Sequence, residues 1–226
     1  HVKNPHQHAF FIPDMAIIDP TLTLGIPPAI TAATGMDVLT HAVESYLARG
    51  VCTLGQALSY SAMQLVGMYL PLAVGDGADL HARHKLAEAS YMAGMSFSNA
   101  GLGVCHAIAH QVGARFHIPH GVANAILLPE VMRFNMLVRQ EQLGQIARAF
   151  NLRIEHLDQK EAALRAIEAV RELSASIGLP THLQQIRAQM EDFPAMAKQA
   201  LQDPTLTTNP RTVSYQDVID ILERSL

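Results

Sequence analysis

Apolar residues recur at three- and four-residue spacing along most of the chain, which is the period of amphipathic α-helices. The first predicted helix starts at Pro27, where a proline pair suits the first turn, and ends at Gly50. Six further helices and one short helix follow the same logic, over residues 56–70, 79–98, 104–115, 158–177, 181–190, 194–202 and 214–225. The chain is therefore predicted to be mainly α.

The helix over residues 158–177 has the clearest boundaries. Asp158 and Glu161 have the spacing of a capping box, in which each residue accepts a hydrogen bond from the other's backbone. Gly178 and Pro180 are typical of the end of a helix. This helix is interpreted as scaffold.

Residues 9–18 have a different pattern, an apolar run interrupted by Pro13 and closed by the turn signal Asp19-Pro20. They are predicted to form a strand, and a lone strand requires a partner sheet. The chain also opens at His1 without a methionine. Both features lead to the expectation that an upstream region of the same protein supplies that sheet.

Composition narrows the classes of partner. The net charge is −4 and there is no cluster of Lys and Arg, so nucleic acid is not expected to bind. Apolar stretches such as residues 123–129 are shorter than the ~20 residues that span a bilayer, and no leader pattern opens the chain. Cys52 and Cys105 match no metal or disulfide spacing and are expected to be reduced. A cytoplasmic protein without membrane segments is predicted.

The 12 histidines suggest a metal site. Asp37 and His41 are four residues apart, which places both on one helical face with Glu44 next along it. Alone, this pair is weak evidence, because acidic residues and histidines at this spacing are common on structural helices.

A second segment gives the stronger signal. His106 and His110 are four residues apart on a predicted helix, and His120 follows just beyond its end, in a stretch that is otherwise apolar. Burying three imidazoles costs free energy unless a metal or hydrogen-bond partners compensate for it. His110 as a hydrogen-bonded core residue and His117 as a loop residue remain the alternative interpretation.

Together the two segments offer one carboxylate and two or three imidazoles. This donor set suits Fe²⁺, Zn²⁺ or a neighbouring first-row ion better than Ca²⁺ or Mg²⁺. Cys105 adjoins His106 but points about 100° away around the helix, so it is not expected to bind the ion. A site without cysteines is more typical of catalysis than of structure.

The segments DPTLTLGIPPAITAATGMDVLTHAVESY, residues 19–46, and NAGLGVCHAIAHQVGARFHIPHGVANAILLP, residues 99–129, resemble the two characteristic segments of the iron-containing alcohol dehydrogenase family. The likeness is greatest to its lactaldehyde reductase and 1,3-propanediol dehydrogenase branch. It implies a two-domain enzyme with a dehydroquinate synthase-like fold. Residues 1–25 would then be the remnant of an N-terminal α/β nucleotide-binding domain, and residues 26–226 an all-helical metal-binding domain.

The resemblance also implies roles for single residues. Asp37, His41, His106 and His120 would bind the metal, Fe²⁺ or alternatively Zn²⁺. His110 would lie beside the nicotinamide and take part in proton transfer. Lys3 would contact the cofactor, which is NAD or NADP.

The family's Gly-rich pyrophosphate loop is not found in this sequence. The glycines of GLGVCH follow no predicted strand and lead directly into a metal ligand, so they are not interpreted as that loop. The N-terminal nucleotide-binding domain is therefore an expected partner that this chain lacks. A small alcohol or aldehyde is the expected substrate, and a homo-oligomer such as a dimer is the expected assembly.

The implied reaction interconverts an alcohol with an aldehyde or ketone, with the metal acting on the substrate oxygen and hydride passing to the nicotinamide. Phe97, Phe116 and Ile118 are candidate walls of the cleft, or else core residues. Three alternatives stay open: a zinc-dependent polyol dehydrogenase or dehydroquinate synthase-like lyase on the same scaffold, an all-helical metallohydrolase, and a metal-stabilised fragment without activity.

Overall fold

The first helix begins where the proline pair fixes the backbone. A computed structural model describes residues 9–226, and in it α1 spans Pro28–Leu47 with Pro28 at a first helical position. The other α-helices of these residues are α2 (Thr53–Gly75), α3 (Leu80–Ala100), α4 (Val104–Phe116), α5 (His120–Ala149), α6 (Gln159–Ser176), α7 (Phe193–Ala200) and α8 (Tyr215–Arg224). The prediction of a mainly α protein is confirmed.

The capping box predicted before α6 is present. The Asp158 carboxylate accepts a hydrogen bond from the Glu161 backbone at 2.7 Å, and the Glu161 carboxylate accepts one from the Asp158 backbone at 3.1 Å. These bonds satisfy two backbone N–H groups that have no partner within the helix.

The strand predicted over residues 9–18 is absent. Ala9–Phe11 form a short 3-10 turn, residues 12–18 are irregular, and the side chains from Phe10 to Ile18 are exposed. No strand occurs anywhere between residues 9 and 226. A β-capable sequence needs a neighbouring strand for its backbone hydrogen bonds, and the described residues offer none.

The prediction of a helix over residues 181–190 is also wrong. Two 3-10 turns, Leu183–Ile186 and Met190–Asp192, occupy this region. Between them Arg187 adopts a left-handed backbone with φ of 65°, which interrupts helical propagation.

The longest helix, α5, was not predicted. It covers 30 residues, contains Pro129, and has a non-helical backbone at Arg139. Its first half is buried on nearly every side, so its sequence shows a continuous apolar run rather than a stripe. Proline within such a run is normally a sign of a helix end.

By length and composition alone, α2 and α5 are long and apolar enough to cross a membrane. The short uninterrupted apolar stretches of the sequence had predicted that no segment is. The apolar window of α5 is 72% buried inside the fold, and that of α2 is 33% buried. Core helices reach the same hydropathy, so these two properties do not by themselves identify a membrane segment.

Helix α1 lies between several neighbours. It packs against α2, α3 and α5, while α4 packs against α5 and α7, and α6 covers α5. Fully buried side chains such as Met36, Leu39, Ile108 and Leu128 join these helices into one apolar core. Packing α1 and α5 together brings the ligand candidates of α1 close to the start of α5.

Gly121 permits this close approach, and we expect Gly121→Ala to destabilise the fold. A Cβ atom at position 121 would overlap the backbone carbonyl of Ala33 in α1. The overlap can be relieved only if one of the two helices moves. We therefore expect the free energy of unfolding to fall by about 3 kcal/mol, which lowers the melting temperature by roughly 6–12 °C for a chain of this size.

Thermal unfolding followed by circular dichroism measures the effect. Gly94→Ala is the matched control, since Gly94 also lies within a helix but has nothing within 4 Å of its added Cβ. That variant should be neutral or stabilised by up to ~1 kcal/mol. Equal melting temperatures for Gly121→Ala and the wild type would show that the two helices tolerate a wider spacing.

Candidate metal centre

Asp37 and His41 project from one face of α1, as their four-residue spacing predicted. Both side chains are partly buried, and Glu44, one turn further, is buried. His106 and His110 lie on α4, and His120 is the first residue of α5. Three helices therefore contribute to one region.

The ligand atoms of these residues converge. One donor atom each of Asp37, His41 and His106 lies within 4.8 Å of the other two. His106 Nε2 is 3.7 Å and His120 Nε2 is 3.6 Å from the same Asp37 oxygen, Oδ1. Two donors bound ~2.1 Å from one ion at a tetrahedral angle lie about 3.4 Å apart, so the separations fit a shared first-row ion.

The imidazole rings of the proposed ligands lie close to one another. The centroids of His41 and His106 are 4.6 Å apart, and those of His106 and His120 are 5.3 Å apart. Burial and the charge of His106 lower the pKa of His41 to about 4, against the opposing effect of Asp37. Burial would raise the pKa of Asp37, but the attraction of His106 and of the other two imidazoles holds it well below its usual range.

Glu44 holds His106 from the side opposite the other ligands. Its Oε2 lies 2.6 Å from His106 Nδ1, and both side chains are almost completely buried. Burial would lower the pKa of His106, but the nearby Asp37 carboxylate and the hydrogen bond with Glu44 raise it to about 9. Nδ1 is thus engaged by Glu44, and Nε2 faces the Asp37 carboxylate.

Asn124, one turn into α5, connects three of the ligand candidates. Its Nδ2 donates to Asp37 Oδ1 at 2.6 Å and lies 3.3 Å from His106 Nε2 and 3.1 Å from His120 Nε2. Cys105 is buried against Asn124, with Sγ 3.7 Å from its backbone and side-chain oxygens. Burial raises the pKa of the Cys105 thiol well above its usual value, which disfavours a thiolate ligand.

His110 is separate from the Asp37 group and has its own carboxylate. Its Nδ1 lies 2.7 Å from Asp203 Oδ2, and its ring stacks on that of His120 with centroids 5.2 Å apart. Burial favours the neutral carboxyl, but the bonds with His110 and Thr205 lower the pKa of Asp203 to about 2. An ionised Asp203 accepts from Nδ1 and leaves His110 Nε2 for another partner.

The remaining candidate residues from the sequence are Phe97, Phe116, Ile118 and Lys3. Phe97 stacks on His41 with ring centroids 4.5 Å apart, so it borders the site. Phe116 and Ile118 are partly buried and pack against the apolar core. Lys3 lies outside the residues that the structure describes.

Comparison with known proteins identifies the family of this chain. Residues 31–226 match the family described as "Fe-containing alcohol dehydrogenase family, C-terminal". The chain belongs to the iron-containing alcohol dehydrogenase family. The resemblance found in its sequence is thereby confirmed.

Members of this family resemble nearly the whole chain. "Probable alcohol dehydrogenase EutG" of Escherichia coli is 47% identical over 97% of this chain and 54% of its own length. "NAD-dependent methanol dehydrogenase" of Bacillus methanolicus is 38% identical over 100% of this chain and 59% of its own. A crystal structure of 1,3-propanediol oxidoreductase superimposes with a TM-score of 0.91 at 43% identity, covering 92% of this chain and 55% of that one. The chain spans about half the length of the relatives it matches.

The sequence of this alcohol dehydrogenase family member did not predict a role for three residues of the site. Asn124 and Asp203 were not considered, and Glu44 was noted only for its position. The spacing of Glu44 after His41 on one helical face was an available signal, because acidic residues often hold metal-binding imidazoles. Asp203 is 93 residues from His110, so no local pattern connects them.

The start of α4 confirms that GLGVCH is not a phosphate loop. The backbone N–H groups of Gly103 and Cys105 donate to Glu44, and that of Val104 donates to Asn209. A helix N-terminus binds phosphate through these same groups. Because side chains of the chain already occupy them, a dinucleotide cannot use them.

Proposed function

We propose that this chain is the metal-binding catalytic half of an alcohol dehydrogenase that interconverts an alcohol with an aldehyde or ketone, using NAD or NADP. The convergence of Asp37, His41, His106 and His120 carries the proposal. These residues supply one carboxylate oxygen and three imidazole nitrogens, a donor set suited to Fe²⁺ or Zn²⁺. Family membership favours iron.

A divalent ion at this position would act as a Lewis acid and lower the pKa of an alcohol hydroxyl group toward neutrality. The chain's own residues hold that position from three helices that share one core, which keeps the donors in place. Phe97, stacked on His41, adds an apolar wall that limits access of water.

His110 is proposed to exchange the proton of the reaction. The carboxylate of Asp203 fixes the ring through Nδ1, so that Nε2 is the nitrogen free to accept or donate a proton. The ring lies against His120, one of the proposed metal ligands, so a substrate bound to the ion would lie near this proton acceptor.

The hydride acceptor is proposed to bind chiefly to a nucleotide-binding domain, with Lys3 and His110 contributing from this chain. The Bacillus methanolicus relative is named for its dependence on NAD. We further propose a cytoplasmic homo-oligomer acting on a small alcohol. The metallohydrolase alternative would need no nicotinamide, so cofactor dependence separates the two functions.

The test uses the full-length protein loaded with Fe²⁺ without oxygen. An alcohol should drive the reduction of NAD⁺ or NADP⁺, seen as the absorbance of the reduced nicotinamide, and a chelator should abolish it. Hydrolysis of phosphate esters by the metal-loaded protein, with no alcohol-dependent reduction of either nucleotide, would overturn the proposal.

His110→Ala in the full-length protein should lower kcat by roughly a hundredfold or more while the metal content stays near one ion per chain, since the variant loses a proton acceptor but no ligand. Steady-state kinetics and metal analysis of one preparation measure both. His106→Ala, one turn earlier on α4, is the matched control and should lose the ion. Stoichiometric loss of metal from His110→Ala would mean that His110 is a ligand.

A further inference from the structure

A carboxylate with almost no exposure to solvent lies behind the proposed metal site. Glu44 is 3% exposed, and its only ion-pair partner among the described residues is His106. A buried carboxylate is costly unless hydrogen bonds compensate for the lost hydration. The hydrogen-bond partners of Glu44 therefore determine what it contributes.

Four donors from the first turn of α4 surround this carboxylate. Oε1 accepts from the backbone of Cys105 at 2.7 Å, and Oε2 accepts from the backbone of Gly103 at 3.0 Å and of His106 at 3.4 Å. The fourth donor is the His106 ring, at 2.6 Å. Glu44 therefore caps α4 from another helix, because the N-cap residue Gly103 has no side chain with which to do so.

The hydrogen bond to the ring decides which nitrogen can bind a metal. Both oxygens of Glu44 already accept from backbone N–H groups, which assigns the hydrogen of the 2.6 Å contact to Nδ1 of the His106 ring. Once Nε2 gives up its own proton to bind an ion, the lone pair lies on this atom, which is 3.7 Å from Asp37 Oδ1. Carboxylates that hold the second nitrogen of a ligating imidazole typically strengthen metal affinity 10- to 100-fold.

The packing around Glu44 requires glycine at position 103. A Cβ atom there would lie 2.7 Å from Glu44 Oε1 and 2.7 Å from Asn209 Oδ1, both of which accept hydrogen bonds from this turn. The backbone can approach the two oxygens only without a side chain. The glycine of GLGVCH at position 103, which is not part of a phosphate loop, thus leaves room for a carboxylate from α1.

We propose that Glu44 is the positioning residue of the metal site: it fixes His106 with hydrogen on Nδ1 and Nε2 directed at the ion, and it anchors the helix that carries both His106 and His110. This inference rests on the proposed metal site. Its effect on His106 is nevertheless measurable without a metal.

The first readout is the Nδ1–H proton of His106 in the ¹H–¹⁵N spectrum of the histidine-labelled chain. A short bond to a buried carboxylate should give a downfield, slowly exchanging resonance, and Glu44→Gln should move it upfield and speed its exchange. The corresponding resonance of His110, which is bonded to Asp203, should remain in Glu44→Gln and is the internal control.

The second readout is affinity for Zn²⁺, measured by competition with a chelator. Glu44→Gln should bind Zn²⁺ 10- to 100-fold more weakly than the wild type. Glu130→Gln is the matched control, since Glu130 is a buried carboxylate on α5 that pairs with Arg171 and Arg133. That variant should keep the wild-type affinity for Zn²⁺ and the His106 resonance.

The outcomes are distinct. A wild-type chain without a downfield His106 Nδ1–H, or a Glu44→Gln variant with unchanged resonance and affinity, overturns the assignment of Glu44. A wild-type chain that shows the resonance but binds no Zn²⁺ contradicts the proposed function and leaves Glu44 as the residue that orients His106. If Glu44→Gln does not fold, the presence or absence of the downfield His106 Nδ1–H in the wild-type spectrum decides the matter.

Discussion

Asp37→Ala will lose the metal. Asp37 offers the one carboxylate of the proposed ligand set, and its Oδ1 lies 3.7 Å from His106 Nε2 and 3.6 Å from His120 Nε2. Metal binding by four protein ligands is worth roughly 12 kcal/mol, so removal of one ligand should cost about 3 kcal/mol, or a little over a hundredfold in affinity. His120→Ala should behave in the same way.

Elemental analysis after dialysis against a weak chelator measures this result. The wild type should retain one ion per chain, and both ligand variants should retain almost none. Asp203→Ala is the control for loss of a buried carboxylate nearby, since Asp203 bonds to His110 and not to the ligand group. Wild-type stoichiometry in Asp37→Ala or His120→Ala would refute the assignment of that residue.

The 226-residue chain alone should bind NADH only at millimolar concentration or weaker and should not oxidise alcohols. The backbone N–H groups at the start of α4 donate to Glu44 and Asn209, so no phosphate can bind them. His110 can touch a nicotinamide but cannot anchor the phosphates and riboses. Losing those contacts removes several kcal/mol, and each ~1.4 kcal/mol is a tenfold loss of affinity.

Titration calorimetry with NADH, combined with an alcohol oxidation assay, tests this prediction. The full-length protein, measured under the same conditions, should bind at least a hundredfold more tightly. The exposed apolar side chains of Phe10, Phe11, Ile12 and Ile17 should also make the isolated chain prone to self-association, which light scattering detects. Micromolar binding together with turnover by the isolated chain would mean that its helices carry a cofactor site of their own.

The parts of the fold that follow local rules could be predicted from the sequence. The α1 and α6 boundaries depend on a proline pair and a capping box, which act within a few residues. The prediction of a strand over residues 9–18 was wrong because a strand forms only where a neighbouring strand accepts and donates its backbone hydrogen bonds. Helix α5 was missed because burial on nearly every side removes the periodic pattern by which a helix is recognised.

The same distinction applies to the site. Asp37 and His41, like His106 and His110, could be paired because a helix brings residues four apart onto one face. The contacts of Glu44 with His106 and of Asn124 with Asp37 join residues 62 and 87 positions apart, and they exist only because α1, α4 and α5 pack together. Periodicity contains no information about such contacts.

The claim that one divalent ion binds Asp37, His41, His106 and His120 is tested most directly by X-ray absorption at the metal edge of the reconstituted protein. The expected spectrum shows an ion bound to nitrogen and oxygen donors at ~2.0–2.2 Å with the scattering pattern of about three imidazoles. A shell of sulfur at ~2.3 Å, which would place Cys105 on the ion, or the absence of imidazole scattering, would contradict the account.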